Sequence, residues 1–153
     1  MPADLADPVK AQAVVDLLDH YARDPMGGST PLSDEVRRVL PERLRAQGGC
    51  RVFLAYQGDS AVGVAICFTG FSTFQARPLL NIHDIAVHTA VRGQGIGRAL
   101  LAAVEQEARA SGFCKLTLEV RADNHGARHL YESVGFDPGE QGTSEMAFLT
   151  KKL

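Results

Sequence analysis

Within seven residues, Arg92-Gly93-Gln94-Gly95-Ile96-Gly97-Arg98, the chain sets three glycines at alternate positions between two arginines. No other stretch limits the fold as tightly. An apolar run containing Ile82, Ile85, Ala86 and Val87 precedes it and a periodic run with Leu100 and Leu101 follows, so it reads as a turn from strand into helix. Glycines lift the Cβ barrier to unusual backbone angles, and a helix opening there leaves its first N–H groups without partners inside the helix. Such a turn is a cradle for an anion, and Arg92 and Arg98 add positive charge. The spacing rejects two nucleotide motifs. A GxGxxG pattern begun at Gly93 meets Arg98 where glycine is needed, and begun at Gly95 it meets Leu100. The phosphate-loop pattern GxxxxGK fails as well, because no Gly-Lys pair occurs in the chain. A phosphate-bearing ligand is expected, without a Rossmann unit and without ATP or GTP hydrolysis.

Periodicity supplies the frame around this loop. Val9, Ala13, Val14, Leu17, Leu18 and Tyr21 have helical spacing over 9–23, and Ser33 opens a second helix through Val36, Leu40 and Leu44, which Pro41 should end or kink. The Pro/Gly/Ser segment 24–31 between them reads as a loop. Strands are predicted at 51–57 and 61–69, joined as a hairpin across Gly58-Asp59-Ser60, and again at 79–88 after a break over 70–78. A helix over 95–111, a strand over 115–121, a helix over 124–134 and a strand over 144–150 complete the order. A strand, a helix and a strand in succession place 79–88 and 115–121 parallel. The expected architecture is an α/β (mixed α+β) sheet flanked by helices, one domain over 1–153, with no internal repeat.

Composition excludes more than it assigns. Lys+Arg 16 against Asp+Glu 18 gives a net charge of −2, so there is no overall basic field for nucleic acid or an anionic membrane. The longest apolar run, 61–68, is far short of the roughly 18 residues of a membrane span, and 1–12 lacks the form of a targeting segment. Cys50, Cys67 and Cys114 are odd in number and widely spaced, with no CxxC, which suggests a reducing cytoplasm and neither a disulfide framework nor a zinc ribbon. They read as small core residues without a histidine to activate a thiolate. His125, His129 and Glu132 share a helix face at a spacing that fits a metal, but Asn124 and Tyr131 assign that helix to another task and no metal is expected.

Three features taken together resemble the GNAT N-acetyltransferase superfamily. Arg92-x-x-Gly95-x-Gly97 is similar to its pyrophosphate loop, Ile85-Ala86-Val87 to the strand end that pairs with pantetheine, and Asn124 with Leu130-Tyr131-Glu132 and Gly135-Phe136 to its downstream helix. The joint resemblance covers 79–136, and its looser strand pattern 53–148. It implies a sheet whose two central parallel strands splay apart to admit acetyl-CoA as cosubstrate. The implied contacts are Ile85, Ala86, Val87, Arg92, Gly93, Gln94, Gly95, Ile96, Gly97, Arg98, Asn124, Ala127 and Tyr131, with the Val87 N–H directed at the thioester oxygen. The first fifty residues carry no motif.

Acetyl transfer to an amine raises two proton problems. Deprotonating a lysine-like amine of pKa about 10.4 at neutral pH costs about 4.6 kcal/mol, whereas protonating a thiolate of pKa about 8.5 gains only about 2. By the resemblance Tyr131 is the general acid. The base stays open among Asp84, His83 and Glu119. In a regular strand Asp84 shares a face with Ile82 and Ala86 while His83 shares one with Ile85 and Val87, so only one addresses the acceptor unless a bulge intervenes. Leu118-Glu119-Val120-Arg121 resembles the ribosomal-protein N-terminal acetyltransferases, whose matching glutamate is the base. His83-Asp84 resembles the Glu-Asp pair of polyamine acetyltransferases, with histidine where that pair has glutamate. Phe71-Ser72-Thr73-Phe74 is expected to wall the acceptor. The resulting expectation is an enzyme that acetylates a small-molecule primary amine. A protein N-terminus or lysine as acceptor and a non-catalytic acyl-CoA-binding module are the alternatives, and a homodimer is compatible with the resemblance.

Overall fold

In the computed structural model, residues 1–137 and 145–153 are described. Helix α1 (Pro8–Arg23) starts where Asp7 turns its carboxylate onto the N–H groups of Val9 at 2.9 Å and Lys10 at 3.4 Å, with proline at the first helical position. A 3-10 turn (Pro25–Gly27) follows, and Ser33 caps α2 (Asp34–Ala46). Pro41 does not end that helix. It removes one ladder bond, while Leu40 and Leu44 on either side stay packed on the core.

Five strands form one sheet in chain order: β1 (Cys50–Gln57), β2 (Ser60–Ser72), β3 (Arg77–Val87), β4 (Lys115–Arg121) and β5 (Met146–Lys152). Neighbours are antiparallel except β3 and β4, which run parallel around α3 (Ile96–Ala110) as the strand-helix-strand order predicts. Helix α4 (His125–Ser133) joins β4 to the last strand. Ser144, expected to open that strand, lies outside the described residues.

The sheet is apolar on both faces because alternate side chains serve two cores. Ala65, Cys67, Leu80, Leu116, Leu118 and Leu149 meet α3 through Leu100, Leu101, Val104 and Ala108, and meet α4 through Tyr131. Val52, Val64, Ile66 and Ala86 meet α1 and α2 through Val14, Leu17 and Leu44. Each fully buried aliphatic side chain contributes roughly 1.5 to 3 kcal/mol. No helix among the described residues is long and apolar enough to cross a membrane.

The break expected over 70–78 shrinks to a turn at 73–76. Phe71 and Ser72 pair with Pro78 and Arg77, so the hairpin runs on to its exposed tip. Phe71 and Phe74 are solvent-exposed there, at the start of β3. At about 3.3 Å per residue, that tip lies on the order of 20 Å from Asp84. The predicted acceptor wall is therefore misplaced: continuous ladder pairing carries it to the end of the strand opposite the cleft described below.

Lys151 on β5 fastens three elements. Its Nζ donates to Glu105 Oε2 on α3 and to the Val134 carbonyl at the end of α4 at 2.6 Å. The hydrogen bond from Lys151 holds the Glu105 carboxyl below its ordinary range, against the opposing effect of burial, and Arg109 adds to the lowering. A depressed carboxylate stabilises the fold above its unfolded pKa, about 4.3, and that stability is lost as pH falls through the lower folded value. Lys151→Met is expected to lower unfolding free energy by about 1 to 3 kcal/mol at pH 7 and to flatten the fall in stability below about pH 4.5. Urea midpoints across pH check both.

Candidate active site

Strands β3 and β4 pair at only three positions, Leu80 with Leu116, Asn81 with Thr117 and Ile82 with Leu118. The Asn81 side-chain amide donates to Thr117 Oγ1 at 2.8 Å across the middle of these. Beyond Ile82 and Leu118 the strands are no longer paired, and the gap between them opens into two cavities that share one set of side chains.

The first cavity, about 540 Å³, is lined on one side by Ile85, Ala86 and Val87 and ends at the glycine loop. Gly93 and Gly95 hold φ of +79° and +81°, the left-handed region, and Gly95 caps α3 without a side chain. A Cβ on Gly97 would stand 2.9 Å from Leu130 Cδ2, so glycine there lets α3 lie against α4. Arg92, Gly93, Gly95, Gly97 and Arg98 all line the cavity, and Asn124, Ala127, Leu130 and Tyr131 form its far wall. Asn124 also caps α4, accepting from Ala127 N at 3.2 Å. Two of the expected contact residues turn their side chains elsewhere. Gln94 Oε1 accepts from Gln57 at 2.9 Å, and Ile96 packs into the core toward Gly63.

The second cavity, about 560 Å³, lies on the other side of the gap and is lined by His83, Asp84, Glu119, Arg121 and Met146 among others. A β-bulge decides which side chains reach it. Ile66 pairs with Asp84 but Cys67 pairs with Ile82, leaving His83 as the extra residue of β3. Ile82 and Ile85 therefore belong to the α3 core, while Asp84 shares a face with Ala86 alone. The regular alternation that puts Asp84 on the face of Ile82 does not hold, and His83 and Asp84 line the same cavity. His83 stacks edge-on against Phe68 at 5.4 Å, with its Nε2 4.0 Å from Asp84 Oδ2. Burial pushes the Asp84 carboxyl above its ordinary range, partly offset by His83. Glu119 is exposed on β4.

Tyr131 lines both cavities. Its ring packs on Phe136 at 6.0 Å, and burial drives its phenol well above the usual range, so it is protonated at neutral pH. Cys67 is pushed up to about 12 by burial and offers no thiolate. Several of the residues that motif reading misses come from the chain's first fifty. Tyr21 and Met26 also line both cavities, Asp24 lines the first and Gly28 the second. Their one signal in the sequence is the segment Asp24-Pro25-Met26-Gly27-Gly28, a turn with a built-in cap.

Residues 14–136 match the acetyltransferase (GNAT) family. The chain belongs to the GNAT acetyltransferase family. It is 30% identical over 108 residues to N-acetyltransferase 8F1 of Rattus norvegicus, covering 71% of this chain and 48% of that protein. It is 35% identical over 95 residues to the ribosomal protein bS18-alanine N-acetyltransferase of Haemophilus ducreyi, covering 61% of each. The chain thus spans less than two thirds of the length of these curated relatives. In fold it is similar to yncA, a putative acetyltransferase from Salmonella typhimurium solved with its cofactor acetyl-CoA. That likeness has a TM-score of 0.71 at 20% identity and covers 100% of this chain and 92% of that one.

In this GNAT chain Gly95 separates backbone conformation from space, because a Cβ there meets nothing within 4 Å. Gly95→Ala is expected to lower unfolding free energy by about 1 to 2 kcal/mol through left-handed strain alone. Chemical denaturation measures it.

Proposed function

We propose that the chain is one N-acetyltransferase domain that moves acetyl from acetyl-CoA directly to the primary amine of a small molecule. The observation that carries this reading is the position of Tyr131. It stands where a cavity ending in an anion cradle meets a cavity lined by two carboxylates. The first cavity suits acetyl-CoA on its own geometry: left-handed glycines clear the approach to a helix N-terminus, arginines flank it, and an apolar strand edge leads away from it. Arg92, Arg98 and the backbone of 93–97 would hold the diphosphate, with Gln94 and Ile96 contributing N–H groups only. Ile85, Ala86 and Val87 would pair with the pantetheine arm, facing Asn124, Ala127 and Tyr131.

When bound, acetyl-CoA supplies the acyl group as a thioester. Asp84 takes the proton from the amine: burial raises its proton affinity toward working pH, where a base is most effective. Glu119, exposed on the opposite strand, draws the ammonium in before it is deprotonated, and His83 partly offsets the Asp84 shift. Tyr131, which keeps its proton at neutral pH, donates from Oη to the departing sulfur. No protein nucleophile takes part, consistent with the suppressed thiol of Cys67.

A second acceptor class has its own support. The relatives include alanine N-acetyltransferases of ribosomal protein bS18, so a protein N-terminus belongs in any test. Release of CoA thiol from acetyl-CoA, measured over polyamines, aminoglycosides, amino acids and short peptides, is expected to single out small amines. Turnover with peptides alone would reassign the acceptor.

Tyr131→Phe is expected to lower kcat about tenfold to a few hundredfold, the lower part of the range for an acid-base group. Unchanged turnover would remove the phenol from the mechanism. Asp84→Asn is expected to abolish the acidic limb of the kcat/KM pH profile, while Glu119→Gln keeps the limb and raises the KM for the amine. The reverse assignment follows if the limb vanishes in Glu119→Gln instead.

A further inference from the structure

The turn that walls the acceptor cavity is tied to the loop proposed to hold the diphosphate. Arg92 Nη2 donates to Asp24 Oδ2 at 3.2 Å, and its Nε donates to the Val87 carbonyl at 3.4 Å. The Asp24 side chain is 18% exposed and lines the donor cavity alongside Arg92, which places a carboxylate where a phosphate-bearing group would be held. The other carboxylate oxygen caps the 3-10 turn, accepting from Met26 N at 2.9 Å. The Asp24 carbonyl accepts from Gly27 N at 2.8 Å and Ser29 N at 3.1 Å. Tyr21 Oη donates to the Met26 carbonyl at 3.3 Å. A shift of the Asp24 carboxylate therefore carries Met26 and Gly28 with it, and both line the acceptor cavity.

The direction of that shift follows from packing. A Cβ on Gly27 would lie 1.9 Å from the Tyr21 carbonyl oxygen, so the turn already rests on the last turn of α1 and cannot move toward it. On the flank, Thr89 N donates to His20 Nε2 at 3.2 Å and His20 stacks on His88 at 4.1 Å, which holds α1 itself to the end of β3. With movement toward α1 blocked, the direction left to the 3-10 turn is outward, with loss of the Tyr21 Oη to Met26 carbonyl bond.

We propose that Asp24 is an internal stand-in for the donor's phosphate on Arg92, so that an arriving diphosphate displaces the carboxylate and swings the Met26–Gly28 turn off the acceptor cavity. The inference rests on the acetyl-CoA reading above. Anion and carboxylate compete for one guanidinium and repel each other, so donor binding works against Asp24 and opens the acceptor side. The same linkage makes acceptor binding favour the donor-bound form, since coupling between two sites is reciprocal.

Asp24→Asn is the decisive variant, because asparagine caps as well as aspartate does and removes only the charge. Calorimetric titration with CoA is expected to show binding about three- to fivefold tighter than wild type, the scale of one partly exposed ion pair. The gain should shrink in high salt, where such charges are screened. Inorganic pyrophosphate, lacking the pantetheine arm, should show the same ordering. In wild type, amide exchange at Met26, Gly27 and Ser29 should accelerate when CoA is added. CoA binding that is unchanged or weaker in Asp24→Asn, or amides that CoA does not disturb, overturns the proposal while leaving the donor site intact. Failure of wild type to bind CoA at all would instead overturn the donor reading, and this inference with it.

Discussion

The candidate site of this molecule depends on two parallel strands that stop pairing. A parallel ladder left intact to the ends of β3 and β4 would close the sheet, and its backbone groups would be consumed by each other. Pairing ends at Ile82 and Leu118, and the two strand ends lead to opposite sides of one gap. Each strand keeps its outer neighbour, β2 for β3 and β5 for β4, so the sheet tolerates the opening without losing its cores. The Asn81 to Thr117 hydrogen bond lies in the last paired stretch, where a polar bond between side chains reinforces the ladder next to the opening.

The bulge at His83 belongs to the same device. Inserting one residue where β3 leaves β4 lets Ile82 stay in the α3 core while Asp84 joins the opposite face. One strand thus supplies a core aliphatic, a carboxylate in the second cavity and the apolar edge of the first within the span 82–87. Burial of Asp84 is a consequence of that geometry, and the raised proton affinity is a consequence of burial.

What the sequence showed was the part written in local chemistry. The glycine loop is legible because left-handed φ at Gly93 and Gly95, and the contact of Gly97 with Leu130, admit few other residues. Periodicity located the helices and strands because both faces of the sheet are packed. The bulge is not legible, since Ile82-His83-Asp84 has no glycine or proline to mark it and the extra residue appears only against β2. The exposed end of the β2–β3 hairpin misled for a related reason: Gly70, Ser72, Thr73 and Pro78 look like loop residues, yet ladder pairing holds all but the four-residue turn. Pro41 misled because packing of Leu40 and Leu44 outweighs one lost helical bond.

The motif-free first fifty residues contribute to both cavities by placement alone. Tyr21 and Met26 need no characteristic spacing to Tyr131, because α1 brings them there by packing Val14 and Leu17 on the sheet. Asp24 combines three roles that a sequence shows only as one: cap of the 3-10 turn, partner of Arg92 and wall of the first cavity. Such economy has a physical consequence. A carboxylate with one oxygen on the cap of the turn and the other on Arg92 has a part in both tasks at once, and the coupling proposed above follows from that shared position.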